Sequence, residues 1–223
     1  MKNNVAKQTR RRLTPRELLG LLRDYLGIGR RRRQEPLNSR SSLQRFIDTR
    51  ASFVAQTSLY GYLRTRAGQR YPELFESDEF VGSINIAKWH VWLACLSDLA
   101  VYTGGLLVQR ESGAKEQIAR LILDLVDECI TAAGSPDDAG DEFAAHARAV
   151  RARVADCRWD SVTDDEGPFS ESPAALVQWA PIVEELKQLD DGIVRNSVRF
   201  RWQEIRRDLR RNLDAVAVLR EED

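Results

Sequence analysis

Three side chains that could carry hydrolytic chemistry stand on one apolar stretch of the chain, Ser83 to Val108. His90, Ser97 and Asp98 are the residue types of a general base, a serine nucleophile and an acid that orients the base. On a helix, His90 and Ser97 share a face but lie two turns apart, about 10.5 Å along the axis. Asp98 is no closer to His90, and proton transfer needs contacts of about 3 Å. The stretch therefore predicts no catalytic triad by itself, and no G-x-S-x-G motif occurs in the chain.

The same stretch predicts the central helix of a bundle. From Trp89 to Val108 it is long enough to cross a membrane, but Asp98 near its middle costs about 2.5 to 3.5 kcal/mol on an insertion scale. Apolar side chains surround its circumference, which is typical of a helix covered on several sides. We expect His90 to be a hydrogen-bonded core histidine and Asp98 to pair with an arginine, because an unpaired buried charge is expensive. The arginines best placed in the sequence for this pairing are Arg50, Arg64 and Arg66.

Polar and aromatic residues cluster where residues 43 to 63 would pack on this helix. Gln56 and Tyr60 lie on the first segment, and the second carries Trp89, His90 and Trp92. Such a cluster predicts either a groove for a small molecule or a polar layer whose hydrogen bonds are satisfied between two helices. The sequence leaves both interpretations open.

Capping signals divide the chain into helices. Residues typical of an N-cap predict starts at Thr14, Ser41, Ser77, Ser135 and Ser172. The predicted helices cover residues 15–27, 42–67, 78–110, 114–133, 136–158, 173–190 with a bend at Pro181, and 193–219 after a stop at Gly192. The predicted fold is all-α, a helical bundle of about six to seven helices around the central apolar helix 78–110. Residues 1–40 form a basic N-terminal segment, residues 41–223 form the bundle domain, and the connector Asp160 to Ser172 is expected to be exposed and mobile.

The charges are strongly segregated along the 223 residues, although the net charge is zero. Residues 1–70 carry 17 Lys and Arg against 4 Asp and Glu, residues 71–192 carry 9 against 24, and residues 193–223 carry 8 against 6. This pattern predicts that basic and acidic segments pack on each other, or that the basic end binds a polyanion such as a lipid surface or nucleic acid.

The cysteines indicate a reducing compartment. Cys95, Cys129 and Cys157 are an odd number without a C-x-x-C pair, so neither a zinc site nor a disulfide framework is predicted. No motif for a cofactor appears, and the basic N-terminus lacks the features of a secretory signal. We therefore expect a cytoplasmic protein without metal or cofactor.

Two basic elements predict surfaces. The N-terminal segment combines an amphipathic helix with seven arginines, which together are typical of binding to anionic membrane surfaces, unless the helix docks on the bundle. These arginines are Arg10, Arg11, Arg12, Arg30, Arg31, Arg32 and Arg33. The last helix has one apolar stripe and a basic surface that includes Arg206, Arg207, Arg210 and Arg211. Nucleic acid is a candidate ligand for these arginines, but no nucleic-acid motif accompanies them.

The segments "FIDTRASFVAQTSLYGYLRTRAGQRYPELFE" and "FVGSINIAKWHVWLACLSDLAVYTGGLL" resemble small bacterial proteins labelled "esterase". The likeness covers residues 43–108. It implies a carboxylic-ester hydrolase, in which the residues to test would be Ser58, His90, Ser97 and Asp98.

The sequence favours a non-catalytic helical adaptor, assembly or regulatory protein, at the cytoplasmic face of the membrane if the basic segment binds there. We expect a protein partner, and self-association is left open. A hydrolase with an unrecognised active site and a nucleic-acid-associated protein are the alternatives.

Overall fold

The structure, a computed structural model, describes residues 36 to 220. The predicted helix 15–27 and the arginines at positions 10–12 and 30–33 lie outside these residues. The described part contains the α-helices α1 (Arg40–Ala67), α2 (Asp78–Arg110), α3 (Lys115–Ala133), α4 (Phe143–Ala155), α5 (Glu171–Trp179), α6 (Glu184–Asn212) and α7 (Ala215–Arg220). Short 3-10 segments connect some of them, at Gly68–Glu76, Ser112–Ala114 and Trp159–Ser161. Residues 36–220 contain no β-sheet, and the predicted all-α bundle is confirmed.

Helix α2 is the central helix. It begins where predicted because the hydroxyl of Ser77 accepts a hydrogen bond from the backbone N–H of Phe80 at 3.3 Å. Every residue from 90 to 108 is buried, and α1, α3, α4 and α5 pack around the helix. Within the described residues α2 alone has the length and hydropathy for a membrane crossing, and its most apolar window is wholly buried. Neighbours on several sides thus explain its apolar circumference.

Two glycines allow a later segment to lie directly on α2. A Cβ atom at Gly104 would be 2.2 Å from the ring of Trp159, and one at Gly105 would be 2.3 Å from the side chain of Val162. Packed carbon atoms stay about 3.5 to 4 Å apart, so neither position has room for a side chain. Trp159 is only 4% exposed. The two glycines therefore allow the segment that follows α4 to pack directly on α2.

The break between α5 and α6 differs from the prediction. α5 ends at Trp179 and α6 begins at Glu184, because Pro181 lacks a backbone N–H and restricts the residue before it. The structure has two separate helices where one helix 173–190 with a bend at Pro181 was predicted, and the predicted stop at Gly192 is wrong. Gly192 lies inside α6, where glycine costs about 1 kcal/mol relative to alanine. The packing of the long helix outweighs this local cost.

Helix α4 begins at Phe143, not at residue 136 as predicted. Gly140 has a φ of 77°, in the left-handed region, so a right-handed helix cannot pass through it. Asp138 holds the preceding turn against α2, because its carboxylate accepts a hydrogen bond from the indole N–H of Trp89 at 2.6 Å. Ser135, which was predicted to cap a helix, is therefore followed by a turn.

The acidic connector is partly buried, so its predicted exposure is wrong at its C-terminal end. Phe169 is 1% exposed and packs between two aromatic rings. Its ring centroid lies 5.2 Å from that of Tyr102 on α2 and 4.8 Å from that of Trp202 on α6. One aromatic residue anchors a segment whose other residues are mostly polar.

Candidate functional site

Asp98, predicted as a possible catalytic acid, is the centre of a buried structural network. Its side chain is 0% exposed. The guanidinium of Arg153 on α4 donates to Asp98 Oδ1 at 2.8 Å and to the hydroxyl of Ser97 at 2.8 Å. Asp98 Oδ2 accepts the backbone N–H of Ser172 at 2.8 Å and its hydroxyl at 2.6 Å, and Oδ1 accepts the N–H of Glu171 at 3.2 Å. The carboxylate thus accepts hydrogen bonds from backbone amides at the start of α5 that have no partner within the helix.

The partner of Asp98 differs from the prediction. Arg50 lies 3.9 Å from Asp208, and Arg66 pairs with Asp190, so neither serves Asp98. Arg64 is exposed, and the prediction of these three partners is wrong. Burial raises the pKa of Asp98, while Arg153 and Ser172 lower it. All hydrogen-bond partners of Asp98 are donors, and an ionised carboxylate can only accept hydrogen bonds.

His90 is paired with a second histidine and not with a serine or an acid. Its Nδ1 lies 2.9 Å from Nδ1 of His146 on α4, and its ring stacks on that of Trp179 at a centroid distance of 3.6 Å. The Nε2 atom is buried without a hydrogen-bond partner in the described residues. Burial, and then the neighbouring His146, lower the pKa of His90 to about 4, although the backbone of Ala139 acts in the opposite direction. His90 is therefore a neutral core residue at neutral pH.

The residues that the esterase resemblance implies do not form a catalytic group. The hydroxyl of Ser97 is bound by Arg153, and His90 contacts His146. Ser58 on α1 is 3% exposed, and its hydroxyl has no hydrogen-bond partner within the described part of the chain. No histidine is therefore placed to take a proton from either serine.

A cavity of about 360 Å³ lies between α1, α2 and the end of α3. Of the predicted groove residues, Gln56, Trp89 and Trp92 line it, whereas Tyr60 and His90 do not. The indole rings meet edge to face at 5.8 Å. The other residues that line the cavity are Asp48, Ser52, Ala55, Lys88, Cys129, Ala132 and Ala133. A cavity of this size is large enough for a small molecule.

Two residues that line this cavity, Cys129 and Asp48, have shifted pKa values. Burial raises the pKa of Cys129 to about 12, so its thiol stays protonated at neutral pH. Burial also raises the pKa of the Asp48 carboxyl, against a hydrogen bond from Trp92. In residues 36–220 no group of three or more His, Cys, Asp and Glu side chains could hold a metal ion.

The basic surface of the last helix is partly neutralised from within the bundle. Arg206 and Arg210 on α6 both pair with Asp164 of the acidic connector, at 3.4 Å and 2.5 Å. Arg207 and Arg211 are exposed and form no ion pair within residues 36–220. At this place the acidic middle of the chain packs on the basic end, one of the two outcomes that the charge pattern predicts.

Helix α6 has an apolar face that the sequence analysis missed. Leu189, Ile193 and Phe200 are 75%, 75% and 71% exposed. Their spacings of four and seven place them on one side of the helix, opposite the stripe that packs on the bundle. The buried stripe consists of Val194, Val198, Trp202, Ile205 and Leu209. The spacing of the exposed residues was visible in the sequence, but the wrong helix boundary at Gly192 divided the set.

Comparison of the chain with protein-family models, with curated proteins and with solved structures found no match. The resemblance to esterase-labelled proteins therefore stays a prediction.

Proposed function

We propose that this chain is a non-catalytic helical adaptor that binds a protein partner through the exposed apolar face of α6. The observation that carries the proposal is the exposure of Leu189, Ile193 and Phe200, each above 70%, along one side of a single helix. Contiguous apolar surface on a folded protein is typical of an interaction site. A helix is also a common recognition element, because residues at spacings of three, four and seven contact one partner together.

The opposite side of α6 makes this face rigid. Trp202 is 1% exposed, and its indole N–H donates to the hydroxyl of Ser172 at 2.9 Å. The helix therefore cannot turn its apolar residues inward without losing buried contacts and a buried hydrogen bond. A rigid surface binds with a smaller loss of conformational entropy than a mobile one.

A non-catalytic role agrees with the side chains that a hydrolase would need. Arg153 engages Ser97 and Asp98, and His146 engages His90. Each of these groups contributes to packing, and none is left to activate a nucleophile or water.

The test compares partners captured from native cells, with membranes retained, by the wild-type chain and by the double variant Leu189→Ser, Phe200→Ser. We expect the variant to lose specific partners at an unchanged thermal midpoint, because both side chains are exposed. Val183→Ser is the matched control, since Val183 is 62% exposed but lies off this face. An identical set of partners for the double variant and the wild type would contradict the proposal.

An esterase assay separates the alternative. We expect no turnover of short acyl esters above background. Turnover that disappears in Ser97→Ala or His90→Ala, and survives in Ser112→Ala, would contradict the adaptor proposal and support the hydrolase alternative.

Attachment to the cytoplasmic membrane face is a separate part of the proposal. It depends on the arginine-rich residues 1–40, most of which lie outside the described residues, and it does not depend on α6.

A further inference from the structure

We infer that the apolar face of α6 binds a second copy of the same chain, with the two α6 helices antiparallel about a two-fold axis near Asn196. The inference rests on the proposed function, because it uses the same face, and it names the partner. Three features of α6 carry it: the positions of the apolar residues, an unexplained glycine, and the distribution of unpaired charge.

The apolar residues match each other in an antiparallel pair. When Ile193 of one helix lies opposite Phe200 of the other, two-fold symmetry makes the same contact a second time. Leu189 then lies opposite Glu204 and can extend over its methylene groups. At an interaxial distance of about 8 to 10 Å, these side chains interdigitate at the centre of the contact.

Gly192 fits this arrangement, and no contact within residues 36–220 requires a glycine there. A Cβ atom added at Gly192 would meet no atom within 4 Å, so packing within residues 36–220 does not require glycine there. In the antiparallel pair, Gly192 lies beside the Phe200 ring of the other copy. A residue without a side chain allows that ring to approach the helix backbone, as small residues do at close helix contacts.

The charges at the two ends of the face favour the antiparallel direction. Glu184 and Glu185 begin the helix, and Arg207 and Arg211 lie near its end; none of the four forms an ion pair in the described part of the chain. In the antiparallel register Glu185 lies opposite Asp208 of the other copy, whose side chain is buried against its own bundle. The exposed Arg207 and Arg211 lie on either side of that position. A parallel pair would place arginine against arginine instead, which is repulsive.

Asn196 lies at the two-fold axis, so the two copies of this residue meet there. The facing Cα atoms would be about 4 to 7 Å apart at a normal helix separation, within the range that a disulfide spans. By contrast, the two copies of Arg207 would be separated by about 31 Å along the helix axis. The direction of the pair is therefore measurable by site-specific oxidation.

The first experiment oxidises the full chain carrying Asn196→Cys or Arg207→Cys. We expect Asn196→Cys to form a disulfide-linked dimer, and Arg207→Cys and the wild type to remain unlinked. The wild type controls for native thiols, of which Cys95 and Cys129 are buried and Cys157 is partly buried. Efficient linkage of Arg207→Cys would show a parallel pair and would overturn the inference.

The second experiment measures the mass of the full chain over a range of concentrations. We expect a monomer–dimer equilibrium, and Phe200→Ser should weaken it about a hundredfold, because each dimer loses two buried rings. Arg207→Glu should weaken the dimer, and adding Glu185→Arg should restore it. Failure of the charge swap to restore the dimer would contradict the proposed register.

The two proposals fail in different ways. A wild-type chain that stays monomeric at all concentrations overturns the self-association. If the variant Leu189→Ser, Phe200→Ser still loses captured partners in that case, the adaptor proposal stands, and the apolar face of α6 binds a different protein. If the captured partners are also unchanged, both proposals are wrong.

Discussion

Lowering the pH from 7.5 to 5 should destabilise the protein through His90. Burial and the adjacent His146 lower the pKa of His90 from 6.5 to about 4. In the unfolded chain the imidazole has its ordinary pKa, so below about pH 6.5 the unfolded state binds a proton that the folded state does not bind. The free energy of unfolding therefore falls as the pH falls. At pH 5 the loss is roughly 2 kcal/mol, since one pKa unit corresponds to about 1.4 kcal/mol, and it levels off near pH 4.

The measurement is urea unfolding, followed by circular dichroism at both pH values, of the wild type and of His90→Gln, which has no imidazole to titrate. The wild type should lose about 2 kcal/mol more than the variant between the two pH values. His146, the other histidine of the chain, also has a pKa lowered by burial, so it contributes a loss of the same sign in both proteins. Asp98 acts in the opposite direction, because its raised pKa lets the folded state take up a proton first. Equal losses in the wild type and in His90→Gln would refute this reasoning.

Three further predictions concern other parts of the chain. Gly104→Ala should destabilise the fold by about 1 to 3 kcal/mol through overpacking, whereas Gly113→Ala, with open space around its Cβ position, should have little effect; equal midpoints would contradict this. Arg153→Met should cost about 3 to 5 kcal/mol by leaving a buried carboxylate unpaired, and Asp98→Asn in the same chain should recover part of the loss, which denaturant unfolding will measure. Replacing Arg30–Arg33 with Gln should weaken binding to anionic vesicles in a flotation assay, and binding that ignores lipid charge and salt would argue against surface targeting.

The sequence predicted elements whose ends carry a local signal. Helix α2 begins after Ser77 as predicted, because an N-cap hydroxyl acts within three residues of its own position. Helix α1 begins two residues before its prediction, since the capping residue is Ser39 and not Ser41. At the start of α6, Pro181 and Gly192 gave competing signals. The proline prevailed because it removes a hydrogen bond and adds a clash, whereas a glycine inside a helix is only moderately unfavourable.

The site could be predicted only in part, because periodicity shows which face is buried and not which segment covers it. The need of Asp98 for a cation followed from its burial, but the choice of Arg153 depends on where α4 crosses α2. Gln56, Trp89 and Trp92 line a common cavity because neighbouring positions on two packed helices stay together. His90 turns away from that cavity toward His146, and nothing in the local sequence of either histidine indicates this pairing.

The network around Asp98 also makes a short helix dependent on two helices that are distant in the chain. Helix α5 has nine residues, fewer than an isolated helix needs to be stable in water. Its first amides are held by Asp98, which is 74 residues away from Ser172 in the chain. Arg153 holds the carbonyl of Pro168 just before the helix, at 2.9 Å. We therefore expect the first amides of α5 to be protected from hydrogen exchange only while α2 and α4 are packed together, because these two helices supply the groups that hold this end of the helix.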